Sequence, residues 1–118
     1  MSEHVLPSIL INDFSENDIL RLPPDFYKKA ITYLEKSEIK KIQKAYTLAF
    51  YAHEGQLRHD GSKYITHPIA VSHILLDLKM DPDSICASLM HDVLEDCDVN
   101  KNNLKKLFGK NVAEIVDG

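Results

Sequence analysis

The sequence predicts an all-α domain built as a helical bundle. Apolar residues recur at helical spacing through most of the chain after Pro23-Pro24. Strand-like alternation is weak and confined to the triplet YIT. Segments rich in Gly, Pro, Asn and Asp separate the helical stretches. A length of 118 residues suffices for one domain with its own core but not for two.

The amino-acid composition is that of an ordinary globular protein. Hydrophobic residues make up 44% of the chain and charged residues 27%, which is too apolar for a disordered chain. Lys and Arg number 14 against 18 Asp and Glu, for a net charge of -4. Because no stretch clusters basic residues into a phosphate-binding stripe, the composition argues against a nucleic-acid partner.

The cysteines and the N-terminus indicate a cytoplasmic protein. Cys86 and Cys97 lack the spacing of a disulfide framework or a zinc ribbon, which suits a reducing compartment. The first residues have no basic segment, and Pro7, Asn12 and Asp13 interrupt their apolar run, unlike a signal peptide. No apolar run approaches the length of a membrane span, so we expect no membrane association.

The order of helices follows from apolar spacing and its interruptions. We expect a lead-in over residues 1–22 and a domain over residues 23–118. The spacing predicts helices over 25–36, from a cap at Ser37 through Phe50, over 68–78, over 85–95, over 103–108 and from 112 onward. Gly109 ends the fifth of these helices. The polar, Gly-containing stretch EGQLRHDGSKYITHP is expected to be a loop that leads into the third helix.

Four ionisable residues share one side of the expected helix over 85–95. His91 and Glu95 are four residues apart, as are Asp92 and Asp96, so a continuous helix would align each pair. The other faces of this helix are apolar, which predicts burial. Buried carboxylates require a cation, a metal or a wet cleft. A helix with a solvated acidic face would instead be polar over most of its circumference and apolar along one side.

His67 adds a second imidazole at the start of the third helix. A lone histidine there is most simply a residue that bonds to the backbone, but beside the acidic cluster it can face the same cleft. Imidazole and carboxylate together suit Mn²⁺, Fe²⁺ or Zn²⁺ and leave positions open for water and substrate. Glu95 and Asp96 could then orient or deprotonate an attacking water. By contrast, His53 and His73 are expected to be structural.

The motifs that carry these residues resemble a known family. HxGQxR, YIxHP, HDxxED and FGxxVAxxVxG occur in order between residues 45 and 118. Together they closely resemble the N-terminal HD-type hydrolase domain of the RelA/SpoT alarmone enzymes. The intact HDxxED element resembles the SpoT-like or bifunctional branch. The resemblance implies an α-helical HD domain that uses Mn²⁺ to remove pyrophosphate from the 3′ position of ppGpp and pppGpp, giving GDP or GTP.

The resemblance also implies roles for individual residues. It implies that the metal is bound by His67, His91 and Asp92. It implies that the attacking water is activated by Glu95 and Asp96, and that the nucleotide is contacted by Arg58 and Tyr64. The loop RHDGSKY departs from the family pattern, so no role is carried over to His59, Asp60, Ser62 or Lys63. Two alternatives stay open: Arg58 as a surface residue without a role in the site, and Tyr64 as an aromatic residue of the core.

One expected part of the site is missing from the sequence. The family's fourth metal ligand is an Asp in a later motif similar to DRLHNMRT, which does not occur before Gly118. We therefore expect a truncated chain that is weak or inactive by itself, with synthetase and regulatory domains following in the full-length protein. Two alternatives stay open: an HD phosphohydrolase acting on another nucleotide, and a non-catalytic docking or regulatory fragment.

Overall fold

A computed structural model describes residues 19–53, 61, 64–96 and 99–118, without the side chains of Glu95 and Asp96. Within these ranges the chain forms seven helices and no strand, which confirms the all-α prediction. The helices are α1 (Pro24–Ala30), α2 (Lys36–Ala52), α3 (Thr66–Asp77), α4 (Pro82–Leu89), α5 (Val93–Asp96), α6 (Lys101–Phe108) and α7 (Lys110–Asp117). Across the described part of the chain, no helix is both long enough and apolar enough to span a membrane.

The first two helices differ in their ends from the predicted ones. Helix α1 ends at Ala30 rather than near residue 36, because Thr32 turns its N–H and its hydroxyl back onto the carbonyl of Lys29, at 3.2 and 2.6 Å. Helix α2 is capped by Glu35, not by Ser37. Glu35 and Glu38 form a reciprocal capping box, each side chain accepting a hydrogen bond from the other residue's backbone N–H.

Helices α2 and α4 form the centre of the core. Helix α4 packs against α2, α3 and α7, so it is covered on several sides. It buries Ile85, Cys86, Ala87 and Leu89, and α2 contributes a buried stripe that includes Ile42 and Leu48. Complete burial of an aliphatic side chain of this size contributes about 1.5–3 kcal/mol. The helix that precedes the HD dipeptide is therefore firmly anchored.

The predicted continuous helix over 85–95 is interrupted at the HD dipeptide. Helix α4 starts at Pro82, capped by Asp81, and ends at Leu89, and α5 resumes only at Val93. At the break, the N–H of Met90 is shared between the carbonyls of Cys86 and Ala87, both at 3.2 Å. His91 and Asp92 thus lie in a tight turn between two helices. The prediction of a continuous helix was wrong, although Met90 and Val93 are buried, as its apolar faces predict. That His91, Asp92, Glu95 and Asp96 share one side stays a prediction, because the side chains of Glu95 and Asp96 lie outside the described part.

The remaining helices follow the sequence signals more closely. Helix α3 begins at Thr66, two residues earlier than predicted, and α6 begins at Lys101 with Asn100 as its cap. Gly109 separates α6 from α7 with φ +96°, a conformation that favours glycine. Ahead of α1, Leu22 is buried in the core and the N–H of Leu20 donates to Thr47 Oγ1 at 2.9 Å. The boundary between residues 22 and 23 stays a prediction.

Candidate active site

Asp92 is the centre of the site that the described residues form. It lies in the turn between α4 and α5, and its side chain is only 20% exposed. His91 Nε2 is 3.0 Å from Asp92 Oδ1, an ion pair whenever the imidazole is protonated. The hydroxyl of Tyr64 donates to Asp92 Oδ2 at 2.9 Å. Each carboxylate oxygen therefore has a different partner, which fixes the plane of the group.

Tyr64 reaches Asp92 from the turn that precedes α3. Its ring stacks on the ring of His53, with centroids 4.4 Å apart and planes inclined by 15°. His53 is the C-cap of α2 and is 3% exposed. The predicted nucleotide-contact residue Tyr64 is thus also a hydrogen-bond donor to the predicted ligand Asp92.

His67 lies on the first turn of α3 and faces the HD dipeptide. Its backbone N–H bonds to the carbonyl of Tyr64 at 3.1 Å, which ties it to the turn that carries Tyr64. Its ring centroid is 6.1 Å from that of His91. The structure therefore places His67, on α3, near the turn after α4 that carries His91 and Asp92.

The donor atoms of His91 and Asp92 are compatible with a shared metal ion. Two ligand atoms each about 2.1 Å from one ion, at a right angle, lie about 3.0 Å apart. That is the distance between His91 Nε2 and Asp92 Oδ1. Imidazole and carboxylate also form the donor set preferred by Mn²⁺, Fe²⁺ or Zn²⁺. The 3.0 Å spacing is that of a direct hydrogen bond and also that of two ligands on one ion, so it allows a shared metal without requiring one.

His67 does not complete a closed ligand set in this arrangement. With metal–nitrogen bonds of about 2.1 Å, the ring centres of two imidazoles on one ion lie about 4.6–5.3 Å apart at bond angles between a right angle and the tetrahedral angle. The 6.1 Å between His67 and His91 is wider than that. Within the described part of the chain, no three His, Cys, Asp or Glu residues lie close enough together, as they stand, to hold a metal ion.

Three predicted site residues lie outside what the structure describes. Arg58 falls in the stretch 54–60, and the side chains of Glu95 and Asp96 are likewise outside the described part. Their roles in nucleotide contact and in water activation remain predictions.

Two other features do not belong to the site. Burial raises the pKa of the Cys86 thiol to about 12, so it stays protonated and is a poor nucleophile or metal ligand. A cavity of about 600 Å³ lies near the start of the described chain, between α1 and α2. Its lining residues include Ile19, Tyr27 and Ile39 and none of the site residues.

Sequence reasoning missed the contact between His53 and Tyr64. His53 was interpreted as a structural residue, although it opens the HxGQxR motif that also contains Arg58. The bond between Tyr64 and Asp92 joins residues 28 positions apart, which no local spacing rule can connect. The presence of His53 in a motif with a predicted functional residue was the available signal.

Comparison with known proteins places these residues in a family. Residues 45–118 match the HD domain. The chain is 48% identical over 87 residues to the bifunctional (p)ppGpp synthase/hydrolase SpoT of Escherichia coli K12, a match that covers 74% of this chain and 12% of that protein. It is 52% identical over 67 residues to the guanosine-3′,5′-bis(diphosphate) 3′-pyrophosphohydrolase of Haemophilus influenzae, covering 57% of this chain and 10% of that protein.

A third relative is named for a different activity, that of a GTP pyrophosphokinase. The chain is 44% identical over 85 residues to the GTP pyrophosphokinase of Streptomyces coelicolor, covering 72% of this chain and 10% of that protein. The chain thus spans about a tenth of the length of these relatives. The match to the HD domain covers residues 45–118, and the all-α fold and the adjacent His91 and Asp92 are consistent with it. The chain therefore belongs to the HD domain family.

Proposed function

We propose that this chain carries the hydrolytic site of a guanosine 3′,5′-bis(diphosphate) 3′-pyrophosphohydrolase. In this reaction water cleaves the bond between the 3′ oxygen and the pyrophosphoryl group, so that ppGpp gives GDP and pyrophosphate, and pppGpp gives GTP and pyrophosphate. The observation that carries the proposal is the Asp92 carboxylate held between His91 and Tyr64, with His67 across from it. The substrate is inferred from relatives such as the guanosine-3′,5′-bis(diphosphate) 3′-pyrophosphohydrolase of H. influenzae.

Each candidate site residue of this chain has a proposed role. We propose His67, His91 and Asp92 as the ligands of Mn²⁺, and binding by all three requires His67 to lie closer to His91 than the 6.1 Å found here. The ion would supply Lewis acidity toward phosphoryl oxygens. Tyr64 keeps the Asp92 carboxylate oriented through the 2.9 Å bond to Oδ2. We propose that Glu95 and Asp96 orient and deprotonate the attacking water.

Binding of the anionic substrate needs local positive charge, since the chain has a net charge of -4. We assign this role to the metal and to Arg58, whose guanidinium can pair with a phosphate through two hydrogen bonds. The hydroxyl of Tyr64 is engaged with Asp92, so any contact of Tyr64 with the nucleotide is assigned to its ring. The relatives are much longer than this chain, and we propose a synthetase and regulatory domains in the remainder of the full-length protein and a cytoplasmic location.

The test is release of pyrophosphate from ppGpp by the full-length protein, with Mn²⁺, before and after Asp92→Asn. We expect the substitution to lower the rate at least a hundredfold, because the amide cannot replace the charged carboxylate. Asp77→Asn is the matched control. It makes the same chemical change at a carboxylate that is 62% exposed and pairs with Lys29 on the protein surface.

Three outcomes would contradict the proposal. Full hydrolysis by Asp92→Asn would remove Asp92 from the mechanism. Hydrolysis of deoxynucleoside triphosphates or cyclic nucleotides in place of ppGpp would support an HD phosphohydrolase of other specificity. Absence of any hydrolysis in the unsubstituted full-length protein would support a docking or regulatory role.

A further inference from the structure

His53 opens the HxGQxR motif, and the proposed function gives it no task. Its backbone is fixed at the end of α2, where its N–H bonds to the carbonyl of Ala49 at 3.0 Å. Its imidazole is buried, with the residue 3% exposed. A buried planar ring on a hydrogen-bonded backbone can serve as a surface against which another ring is aligned.

That other ring is Tyr64. The two rings are nearly parallel, at 15°, and their centroids are 4.4 Å apart, which is a face-to-face contact. A tyrosine hydroxyl lies far from its Cα, so a small rotation about χ1 moves it by more than a hydrogen bond tolerates. Stacking on His53 restricts that rotation.

The hydroxyl of Tyr64 in turn determines how Asp92 points. It donates to Oδ2 at 2.9 Å, while Oδ1 faces His91 Nε2 at 3.0 Å. Loss of the Tyr64 bond would leave the carboxylate free to turn about its χ2. The chain of contacts therefore runs from the end of α2, through two stacked rings, to the turn between α4 and α5.

We propose that His53 is a positioning residue for Asp92, acting through the stacked ring of Tyr64. The role in catalysis rests on the proposed function, whereas the contact that orients Asp92 can be tested without any substrate or metal. The ring, and not the charge, of residue 53 is what the proposal requires. Phenylalanine at position 53 should therefore keep Asp92 oriented, whereas an aliphatic residue there should not.

The test is the ¹³C NMR signal of the Asp92 carboxyl carbon in the 118-residue chain, identified by its disappearance in Asp92→Asn. Tyr64→Phe keeps the ring but removes the hydroxyl. Its spectrum therefore gives the chemical shift of the Asp92 carboxyl carbon without the hydrogen bond from Tyr64. We expect His53→Leu to shift the Asp92 signal in the same direction as Tyr64→Phe does, by at least half as much. His53→Phe is expected to leave it at its original position.

A double substitution separates direct from indirect effects. If His53 acts through the hydroxyl of Tyr64, His53→Leu adds no further shift in the Tyr64→Phe background. Summed shifts in the double variant, or an unshifted signal in a folded His53→Leu chain, would overturn the proposal. Circular dichroism establishes folding. If His53→Leu does not fold, His53→Phe decides: an unmoved Asp92 signal supports the proposal and a moved one refutes it.

Hydrolysis gives the second readout. In the full-length protein, His53→Leu is expected to lower ppGpp hydrolysis about tenfold and His53→Phe to restore it. If the unsubstituted protein hydrolyses no ppGpp, the proposed function fails, and the NMR comparison still decides whether His53 positions Asp92.

Discussion

Asp92 differs from an ordinary surface aspartate in having each carboxylate oxygen assigned to a separate partner. One partner, His91, is its neighbour in the chain, and the other, Tyr64, lies 28 residues earlier. A ligand that is oriented before it binds loses less conformational freedom on binding, so such partners raise affinity and rate. At this scale the sequence predicted the residues but not the hydrogen bond between them.

The bond from Tyr64 can be tested by removing one atom. In the full-length protein, Tyr64→Phe should lower the proposed ppGpp hydrolysis about 10- to 100-fold, the usual effect of losing a partner of a metal ligand, which is the role proposed for Asp92. The free energy of unfolding should fall by only about 1 kcal/mol, the net value of one hydrogen bond. Steady-state rates and urea unfolding provide the two measurements.

Tyr27→Phe is the matched control for that change, because Tyr27 is 45% exposed and lies on α1, outside the site. A Tyr64→Phe enzyme as active as this control would show that the hydroxyl does not contribute to the reaction.

At the level of elements, the ends of the helices determine where the functional residues lie. Helix α4 stops at Leu89, so His91 and Asp92 project from a turn instead of continuing along a helical face. Neither Gly nor Pro occurs between Met90 and Val93, so the local sequence gives no signal for this break. By contrast, Gly109 is a recognisable end signal, and the structure has a helix end there. Asn100, which caps the same helix, lies three residues before the predicted start at residue 103.

The cap of α6 offers a test at this scale. Asn100 Oδ1 accepts from the N–H of Asn103 at 2.9 Å, and Asn103 Oδ1 accepts from the N–H of Asn100 at 3.0 Å. Asn100→Ala should lower the free energy of unfolding by about 1 kcal/mol, since it leaves the N–H of Asn103 without its cap. Urea unfolding of the chain measures this.

Asn102→Ala makes the same change at an exposed position inside α6. It should be neutral or slightly stabilising, because alanine has the higher helix propensity. Equal losses for the two variants would argue against a specific cap at Asn100.

Across the whole molecule, α4 is held by its neighbours at both its apolar face and its polar start. Asp83, near that start, accepts from Lys41 Nζ of α2 at 2.6 Å and from Asn111 Nδ2 of α7 at 2.8 Å. One carboxylate thus joins three helices. The hydrogen bonds from Asn111 and Lys41 lower the pKa of Asp83 below its usual value of 3.8.

This lowered pKa sets the sign of a pH effect. The folded state binds the Asp83 proton more weakly than the unfolded state, so its contribution to stability is complete above pH 3.8 and is lost as pH falls through the lower folded pKa. Asp83→Asn should cost about 1–2 kcal/mol near neutral pH. The difference from the unsubstituted chain should shrink below pH 3.8, as followed by urea unfolding at a series of pH values.

For the control, Asp77→Asn removes a carboxylate whose pairing with Lys29 is exposed to solvent. Its effect should be about 0.5 kcal/mol or less, as is usual for surface ion pairs. If the cost of Asp83→Asn stayed constant down to the most acidic point, ionisation of Asp83 would not contribute to the stability of the three-helix junction.

The sequence by itself determined the helical class, the order of the helices and the identity of His67, His91 and Asp92 as candidate ligands. It could do so because apolar periodicity and short motifs are local properties. Only the tertiary structure decided that α4 ends before the HD dipeptide and that Tyr64, supported by His53, bonds to Asp92. Those features depend on side chains that the packing of α2, α3 and α4 brings together from distant parts of the chain.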